Sequence, residues 1–305
     1  MLPVAAGAPQ LSGSFIPEIW SGKLLIKFYE STVLADISNT DYDGEIKKQG
    51  DKVIIRTTPS ITIHEDYNKH QDLVDETPES DPVELTIDRG QYWNFLVDDV
   101  DKYQSDINYI EDWATDASEQ MKIKTDRRVL GEFYSDAAAA NQGIAAGKDS
   151  RDINLGVTGS PVQITKSTIL EQIVDMGTVL DEQNAPEDGR WIVLPPWACG
   201  LIKKSDLKDA SLSGDGQSIL RNGRLGMIDR FTIYSSNLLS VVTDGSTRAW
   251  NIPFGHKKAL SFASQITETE KLRSELKFGW KVRGLNIYGF EVLKPEVLGW
   301  MYAKK

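Results

Sequence analysis

Few residues of this sequence have both the type and the spacing that catalysis or metal binding requires. His64, Glu65 and His70 resemble a metalloprotease zinc motif only superficially, because that motif needs histidines four residues apart on one helical face and these are six apart in strand-like sequence. Cys199 has neither a nearby histidine nor a nucleophile signature, and a lone cysteine is most often simply buried. The turn at residues 213–216 lacks the Gly-Lys-Ser/Thr that completes a phosphate-binding loop. The sequence therefore predicts no catalytic, cofactor-binding or metal-binding residues.

Carboxylate pairs are abundant, and helix capping explains Asp98 with Asp99 better than acid-base catalysis does. The two residues directly precede a long window, Val100 to Ala140, which contains no proline and a single glycine, Gly131. Apolar residues recur in this window at three- and four-residue steps, which predicts one helix of roughly 60 Å. Such a helix needs packing partners from distant parts of the chain or from another chain. The alternative is two ordinary helices broken near Gly131.

Composition indicates a globular protein of one large domain or two to three smaller ones. The chain has 305 residues, of which 40% are hydrophobic and 26% charged. The net charge of −11 argues against an extended nucleic-acid footprint, because phosphate neutralisation needs clustered Lys and Arg. The single cysteine excludes an intrachain disulfide framework. The sequence has neither a signal-peptide pattern at its start nor an apolar run of membrane-spanning length, so we expect a cytoplasmic setting and no membrane partner.

Charge is distributed unevenly along the chain. Residues 65–119 contain 17 Asp or Glu against three Lys or Arg, whereas residues 271–305 contain eight Lys or Arg against three Glu. Runs of charge are usually solvated faces. The competing interpretation is that the two regions form complementary surfaces between copies of the protein.

The first hundred residues change from an unpatterned arm to extended segments. Residues 1–14 are small and contain Gly and Pro, and Ile16 to Tyr29 follows as a short amphipathic helix with Pro17 at its start. Strand-like segments at residues 52–56 and 61–63 precede the acidic segment Glu65 to Asp81, and Val83, Leu85 and Ile87 alternate with polar residues on the return side. This pattern predicts a long two-stranded hairpin. Because an isolated hairpin is marginal in water, we expect it to lie against something else, with a neighbouring subunit as a candidate.

The remaining elements alternate between helix, strand and loop. A helix is predicted from about Lys166 to Asn184, a buried strand at Trp191 to Leu194, and a helix from Pro196 to about Lys204. Ser211 to Gly226 is rich in Gly and Ser and is typical of a surface loop. Later strands are predicted at residues 231–234, 248–252 and 259–262, and the tail at residues 278–294 alternates again.

Several ordered motifs resemble the major capsid protein of tailed bacteriophages. They are GEIKKQGDKVIIR, LTIDRGQYWNFLVDDVDKYQSD, LDEQNAPEDGRWIVLPPWA, GRLGMIDRFTIYSSNLL and KFGWKVRGLNIYGFEVLKPEVL, and they span most of residues 15–298. The resemblance implies the α+β Hong Kong 97-like fold, with an N-terminal arm at residues 1–40 and an extended hairpin loop at 41–97. It further implies a peripheral domain with a long spine helix at 98–189, an axial domain at 190–274, and a return of 275–305 to the peripheral sheet. Arg230 departs from the pattern, since similar proteins usually have glycine before Phe231.

This resemblance implies a coat protein that self-assembles, as pentamers and hexamers, into an icosahedral shell around double-stranded DNA. The virion would be assembled in the host cytoplasm, with the DNA contacted non-specifically and a portal, and in some shells a cement protein, as partners. The chain lacks the charged helical N-terminal extension that some relatives use as an internal scaffold, so a separate scaffolding protein is expected. Two other classes remain open from the sequence: the shell of a cellular nanocompartment, and a soluble enzyme or binding protein.

Overall fold

The structure is a computed structural model that describes residues 29–30, 32–41, 52–57, 59, 61–65, 67, 69, 72–73, 75–80, 82–99, 109–205, 226–275 and 277–305. The extended arm predicted at residues 1–14 lies outside these ranges. So do nearly all of the helix predicted at Ile16 to Tyr29 and of the loop predicted at Ser211 to Gly226. The statements below concern the described residues.

The elements confirm a mixed α+β chain. The α-helices are α1 (Leu34–Ile37), α2 (Tyr109–Glu132), α3 (Ile169–Glu182) and α4 (Pro196–Lys204). The strands are β1 (Lys52–Arg56), β2 (Pro82–Thr86), β3 (Arg89–Asp98), β4 (Val162–Gln163), β5 (Arg190–Leu194), β6 (Met227–Ile228), β7 (Phe231–Ser235), β8 (Val241–Asp244), β9 (Thr247–His256), β10 (Leu260–Arg273), β11 (Gly279–Val292) and β12 (Leu298–Lys304). Short 3-10 turns lie at Phe133–Asp136, Ala139–Asn141 and Pro295–Val297.

A seven-stranded sheet contributes strands β5, β7, β9 and β12 to the main hydrophobic core. Its order is β4-β12-β9-β5-β7-β6, with β8 paired to β9. Strand β5 runs parallel to β7 and antiparallel to β9, and all five of its residues are buried; burial of Trp191 to Leu194 agrees with their apolar sequence. Helices α3 and α4 contribute to the same core, where Phe133 lies 6.1 Å, centre to centre, from the Trp191 ring.

A second sheet has the order β10-β11-β3 and carries helix α2. Strand β11 pairs with β3 from Gly279 opposite Asp98 to Tyr288 opposite Arg89. The aromatic stretch at residues 92–95 therefore belongs to this sheet, although the sequence suggested that it continues the hairpin loop at 41–97. The physical reason is that β11 offers ten consecutive backbone partners, whereas β1 has only five residues.

The two-stranded hairpin exists, and it lies partly on its own chain. Strands β1 and β2 pair antiparallel, with Val53 opposite Leu85. Leu85 is fully buried with Ala263 of β10, so one face of the hairpin base is covered without a neighbouring subunit. Residues 61–63 do not form the predicted strand, because the opposite described residues, 75–80, offer them no strand to pair with.

The long helix ends earlier than predicted. Helix α2 stops at Glu132, a 3-10 turn follows, and Ala137 is extended with φ −62° and ψ 145°. The chain turns there because Phe133 and Asn141 are buried in the core, and the Nδ2 of Asn141 donates to the carbonyls of Glu296 and Leu298 at 2.6 and 2.8 Å. The break therefore falls beside Gly131, as the alternative interpretation expected. The predicted start of the helix, residues 100–108, lies outside the described residues.

The tail divides between the two sheets. Strand β11 joins β3 in the three-stranded sheet, whereas β12 pairs antiparallel with β9 in the seven-stranded sheet, with Leu298 opposite Gly255. A return of all residues 275–305 to one peripheral sheet does not agree with this pairing. The physical reason is burial: five of the seven β12 residues are buried beside β9.

Candidate assembly surface

The histidines singled out in the sequence do not form a metal site in the described chain. His64 is exposed, and its Nε2 atom lies 3.4 Å from Oε1 of Glu76 at the surface. Glu65 is exposed as well, and His70 lies outside the described residues. Nowhere in the described ranges do three or more His, Cys, Asp or Glu side chains gather as metal ligands would.

Cys199 is a core residue of helix α4. Its side chain is buried, and burial raises the pKa of the thiol, while a hydrogen bond with the Ser235 side chain acts in the opposite direction. A buried thiol with a raised pKa is a poor nucleophile. Cys199 therefore lies in the core as a packing residue of helix α4.

Asp99 forms an ion pair across the three-stranded sheet. Its Oδ1 atom accepts a hydrogen bond from Nη1 of Arg273 at 2.9 Å, and its backbone N–H donates to the carbonyl of Phe278 at 3.0 Å. The turn predicted at residues 213–216 lies outside the described chain. So does the predicted helix start that Asp98 and Asp99 were expected to cap. What the structure shows for Asp99 is a contact that fixes the end of β3 to β10.

Residues 29–41 are docked on the chain, although the sequence suggested a free arm over residues 1–40. The Oδ2 atom of Asp126 on helix α2 accepts the backbone N–H groups of Val33 at 2.6 Å and Leu34 at 3.1 Å. These are the first amides of helix α1, so Asp126 caps that helix from a distant part of the sequence. Further along, the N–H of Asn39 donates to the carbonyl of Leu260 at 2.8 Å.

The sequence did not identify Asp126 as a functional residue. Burial raises the pKa of its carboxyl, and the two backbone donors act in the opposite direction. A buried carboxylate needs hydrogen-bond partners, and here both donors lie more than ninety residues away. A polar residue at a core-facing helix position was the signal available, but it does not reveal the partner.

Several oppositely charged groups pair within the chain. Arg273 pairs with Asp99, and Arg283 of β11 donates to Glu270 of β10 at 2.6 Å. The basic tail is therefore partly neutralised by its own chain, which limits the complementary-surface interpretation. Lys271 lies over the Trp280 ring at 5.1 Å in a cation–π contact.

Large apolar side chains remain exposed on the hairpin and on the three-stranded sheet. Ile63 and Tyr92 are each 82% exposed, and Phe278 is 80% exposed. Further exposed members of this group are Ile54, Ile61, Tyr67, Leu73, Leu272 and Leu285. Apolar groups spread over one region of a surface are typical of protein interaction sites.

Arg230 adopts the backbone conformation for which glycine is favoured. Its φ is +65°, in the left-handed region, and that of the preceding Asp229 is +46°. The Arg230 guanidinium bonds Asp181 at 2.6 Å and Glu187 at 2.9 Å, which offsets part of the backbone cost. The turn before β7 therefore forms with Arg230 at the position where similar proteins usually have glycine.

Asp181 also bonds the fully buried Arg190 of β5 at 2.7 Å. The guanidinium groups of Arg190 and Arg230 together hold the pKa of Asp181 below its ordinary value, despite its partial burial. The Nη2 atom of Arg190 also donates to the carbonyl of Ala185 at 2.7 Å, Nε donates to that of Pro186 at 2.8 Å, and Nη1 to that of Gly177 at 3.5 Å. Sequence reasoning missed Arg190, because a charged residue at the start of an apolar strand does not reveal its partners.

No described helix is both long enough and apolar enough to cross a membrane. Comparison with curated proteins gives no match.

Solved capsid and phage structures are similar to this chain over nearly its whole length. One from Mycobacterium phage Che8 is 26% identical, with a TM-score of 0.76, over 94% of this chain and 96% of that chain. The capsid of cyanophage P-SCSP1u is 15% identical, with a TM-score of 0.67, over 96% and 94% of the two chains. The capsid of Ralstonia phage GP4 is 14% identical, with a TM-score of 0.62, over 100% and 99%.

The model of one protein family, described as phage capsid protein, matches residues 83–296. The matched region begins in β2 and ends at the turn before β12, so it contains helix α2, the three-stranded sheet and most of the seven-stranded sheet. The family indicates a structural role rather than a catalytic one. A match over more than two thirds of the sequence shows that the chain belongs to the phage capsid protein family.

Proposed function

We propose that this chain is the major capsid protein of a tailed bacteriophage, which assembles with copies of itself into the icosahedral shell around the double-stranded DNA genome. The observation that carries this proposal is the match to the phage capsid protein family over residues 83–296. In addition, solved capsid and phage structures align with 94–100% of this chain. Neither the nanocompartment shell nor the soluble enzyme is favoured by these comparisons.

The exposed apolar residues support self-assembly. A side chain such as Ile63 or Tyr92 gains about 1.5–3 kcal/mol when it moves from water into a fully packed contact. Many weak contacts per subunit add up in a closed shell, since each subunit is held by several neighbours at once. The expected repeating units are pentamers and hexamers.

Other partners follow from the same proposal. The subunit would use a separate scaffolding protein and a portal, with a cement protein as an optional addition to the outer surface. The net charge of −11 is consistent with a shell that encloses DNA without binding it tightly. Assembly would take place in the host cytoplasm, and the finished protein would reside in the virion.

Domain roles are part of the proposal as well. Helix α2 would be the spine of a peripheral domain that includes the three-stranded sheet, and β5 to β9 would form the axial domain near the centre of each capsomer. Strands β1 and β2 would be the base of the extended loop. The placement of β12 beside β9 favours assigning the final strand to the axial part.

The test is assembly of the purified protein, alone and with its scaffolding partner. We expect closed hollow particles with pentameric and hexameric capsomers in electron micrographs. Native particles should contain a portal vertex and DNA, whereas an enclosed enzyme would indicate a nanocompartment. A persistent monomer or small dimer under all of these conditions would overturn the proposal.

A further inference from the structure

A groove of about 530 Å³ lies between strand β3 and helix α2. Trp93, Phe95 and Trp113 belong to its lining and form a continuous aromatic series: the ring centres of Trp93 and Phe95 are 5.4 Å apart, and those of Phe95 and Trp113 are 5.6 Å apart. Trp113 is 43% exposed, and Tyr92, another lining residue, is 82% exposed. Aromatic surface of this kind is a strong source of binding energy when it is covered.

Acidic side chains border the groove at its Trp113 end. Asp116 is part of the lining, and Asp112 and Glu119 lie four residues before it and three after it, which places all three on one side of helix α2. Asp112 is exposed. The basic lining residue Lys124 lies eleven residues after Trp113, roughly 17 Å along the helix. A partner that fits the Trp113 end would therefore combine an apolar side chain with positive charge.

The turn between β10 and β11 has this combination. Phe278 is 80% exposed, so its ring is not packed in its own subunit. The charged residues of the stretch 271–281 are Lys271, Arg273, Glu275, Lys277 and Lys281. Arg273 pairs with Asp99, which leaves three lysines against one glutamate. We call Lys271, Lys277, Phe278 and Lys281 the basic tip.

Backbone hydrogen bonds hold the basic tip at the end of the three-stranded sheet. The N–H of Ser274 donates to the carbonyl of Gly279, and the N–H of Asp99 donates to the carbonyl of Phe278, both at 3.0 Å. The pairing of β11 with β3 ends at Gly279 opposite Asp98, whereas the groove lining on β3 ends at Phe95. The basic tip therefore lies beyond its own groove and faces outward from the subunit.

We propose that the basic tip of one copy docks at the Trp113 end of the groove of a second copy. Phe278 would cover the exposed part of Trp113, and Lys277 would lie beside Asp112. The inference rests on the proposed function, because a shell brings copies of this chain together. The basic tip and the groove are different surfaces, so the contact is head-to-tail and each copy uses both of them.

Cross-linking between two singly labelled copies tests this contact. In a Cys199→Ser background, one copy carries Glu275→Cys, which leaves Lys277 and Phe278 in place, and the other carries Ala117→Cys in the groove lining. The matched control replaces Ala117→Cys with Thr115→Cys, because Thr115 is exposed on helix α2 and does not line the groove. After a bismaleimide with a short spacer is added to the concentrated mixture, mass spectrometry identifies the product that joins the two kinds of copy. We expect at least fivefold more of this product at residue 117 than at residue 115.

The same mixture separates this contact from the proposed function. Equal cross-linking at residues 117 and 115, or none at 117, would overturn the contact. Electron micrographs of the sample assess the shell independently, because the reagent is added whether or not particles form. Closed particles without the product at 117 would overturn the contact and leave the proposed function standing, whereas the product without closed particles would support the contact and count against the shell.

Charge reversal then tests the pairing of the basic tip with the acidic rim. Lys277→Glu in the first copy, or Asp112→Lys in the second, should lower the product at residue 117 at least fivefold, and the two together should restore at least half of it. The control is Lys305→Glu, which makes the same charge change at an exposed residue after β12. An equal loss in Lys277→Glu and Lys305→Glu, or no recovery in the combined pair, would contradict the pairing.

Discussion

Replacement of Asp126 by alanine tests how residues 29–41 are held on helix α2. The carboxylate accepts two backbone N–H groups, from Val33 at 2.6 Å and from Leu34 at 3.1 Å, and both of these residues are buried. A buried donor that loses its acceptor costs about 1–3 kcal/mol. With two such donors, we expect Asp126→Ala to weaken docking of the segment by about 2–6 kcal/mol.

Hydrogen exchange on the unassembled subunit measures this change directly. Because 1.4 kcal/mol corresponds to a factor of ten, the amides of residues 32–41 should exchange at least about 30-fold faster in Asp126→Ala. The matched control is Arg127→Ala, which removes an exposed ion pair with Glu30 from the same segment. Such a pair contributes about 0.2–1 kcal/mol, so exchange should rise about fivefold at most. Equal rates in the two variants would refute the capping role of Asp126.

A second variant, Asp126→Asn, separates the hydrogen bonds from the charge. The amide oxygen can still accept the two N–H groups, so docking at neutral pH should be close to that of the wild type. Burial raises the pKa of Asp126 above its ordinary 3.8, so the ionised form carries a cost that protonation removes. The folded chain therefore binds this proton more readily than the unfolded chain, so this group should contribute more to folding stability as pH falls from neutral through the folded-state pKa, and Asn should lack this contribution. The opposite slope would contradict the burial argument.

Four further predictions test other parts of the structure. Burial and nearby cations lower the pKa of His256 below 6.5, so stability should fall on acidification below about pH 6.5, and thermal unfolding of His256→Asn should show a smaller fall. Arg230→Gly should unfold at a higher temperature than Arg230→Ala, because both lose the ion pairs but only glycine relieves the positive φ. Gly289→Ala should lose about 1–3 kcal/mol in denaturant unfolding, since the new Cβ would overlap the Thr86 carbonyl. A Gly/Ser turn in place of residues 65–81 should leave circular dichroism unchanged but reduce shell yield in sedimentation.

Sequence reasoning succeeded where local pattern decides the structure. The apolar run at Trp191 to Leu194 predicts all of strand β5 except Arg190, and helix α3 ends near Asn184, whose φ of +55° suits a helix terminus. Pro196 begins helix α4, as its fixed φ favours. In each case the signal lies within a few residues of the element that it predicts.

The sequence failed where a distant partner decides. Strand β3 looks like an extension of the hairpin until β11, nearly two hundred residues later, supplies its backbone partners. The end of helix α2 depends on the burial of Phe133 against Trp191. Docking of residues 29–41 depends on Asp126, an acidic helix residue whose position in the sequence does not indicate its contact with Val33. None of these pairings has a periodicity that a single sequence displays.

The most exposed apolar side chains lie on the hairpin and on the three-stranded sheet, which bears on where subunits meet. Strand β5 of the seven-stranded sheet is fully buried in the main core of the subunit, so its side chains are already packed before assembly. The hairpin and the three-stranded sheet expose Ile63, Tyr67, Tyr92 and Phe278, each at more than three quarters of its surface. Covering each such side chain is worth about 1.5–3 kcal/mol, which the isolated subunit does not gain. Polar substitutions on the hairpin and the three-stranded sheet should therefore lower assembly far more than subunit stability, whereas substitutions in β5 should do the reverse.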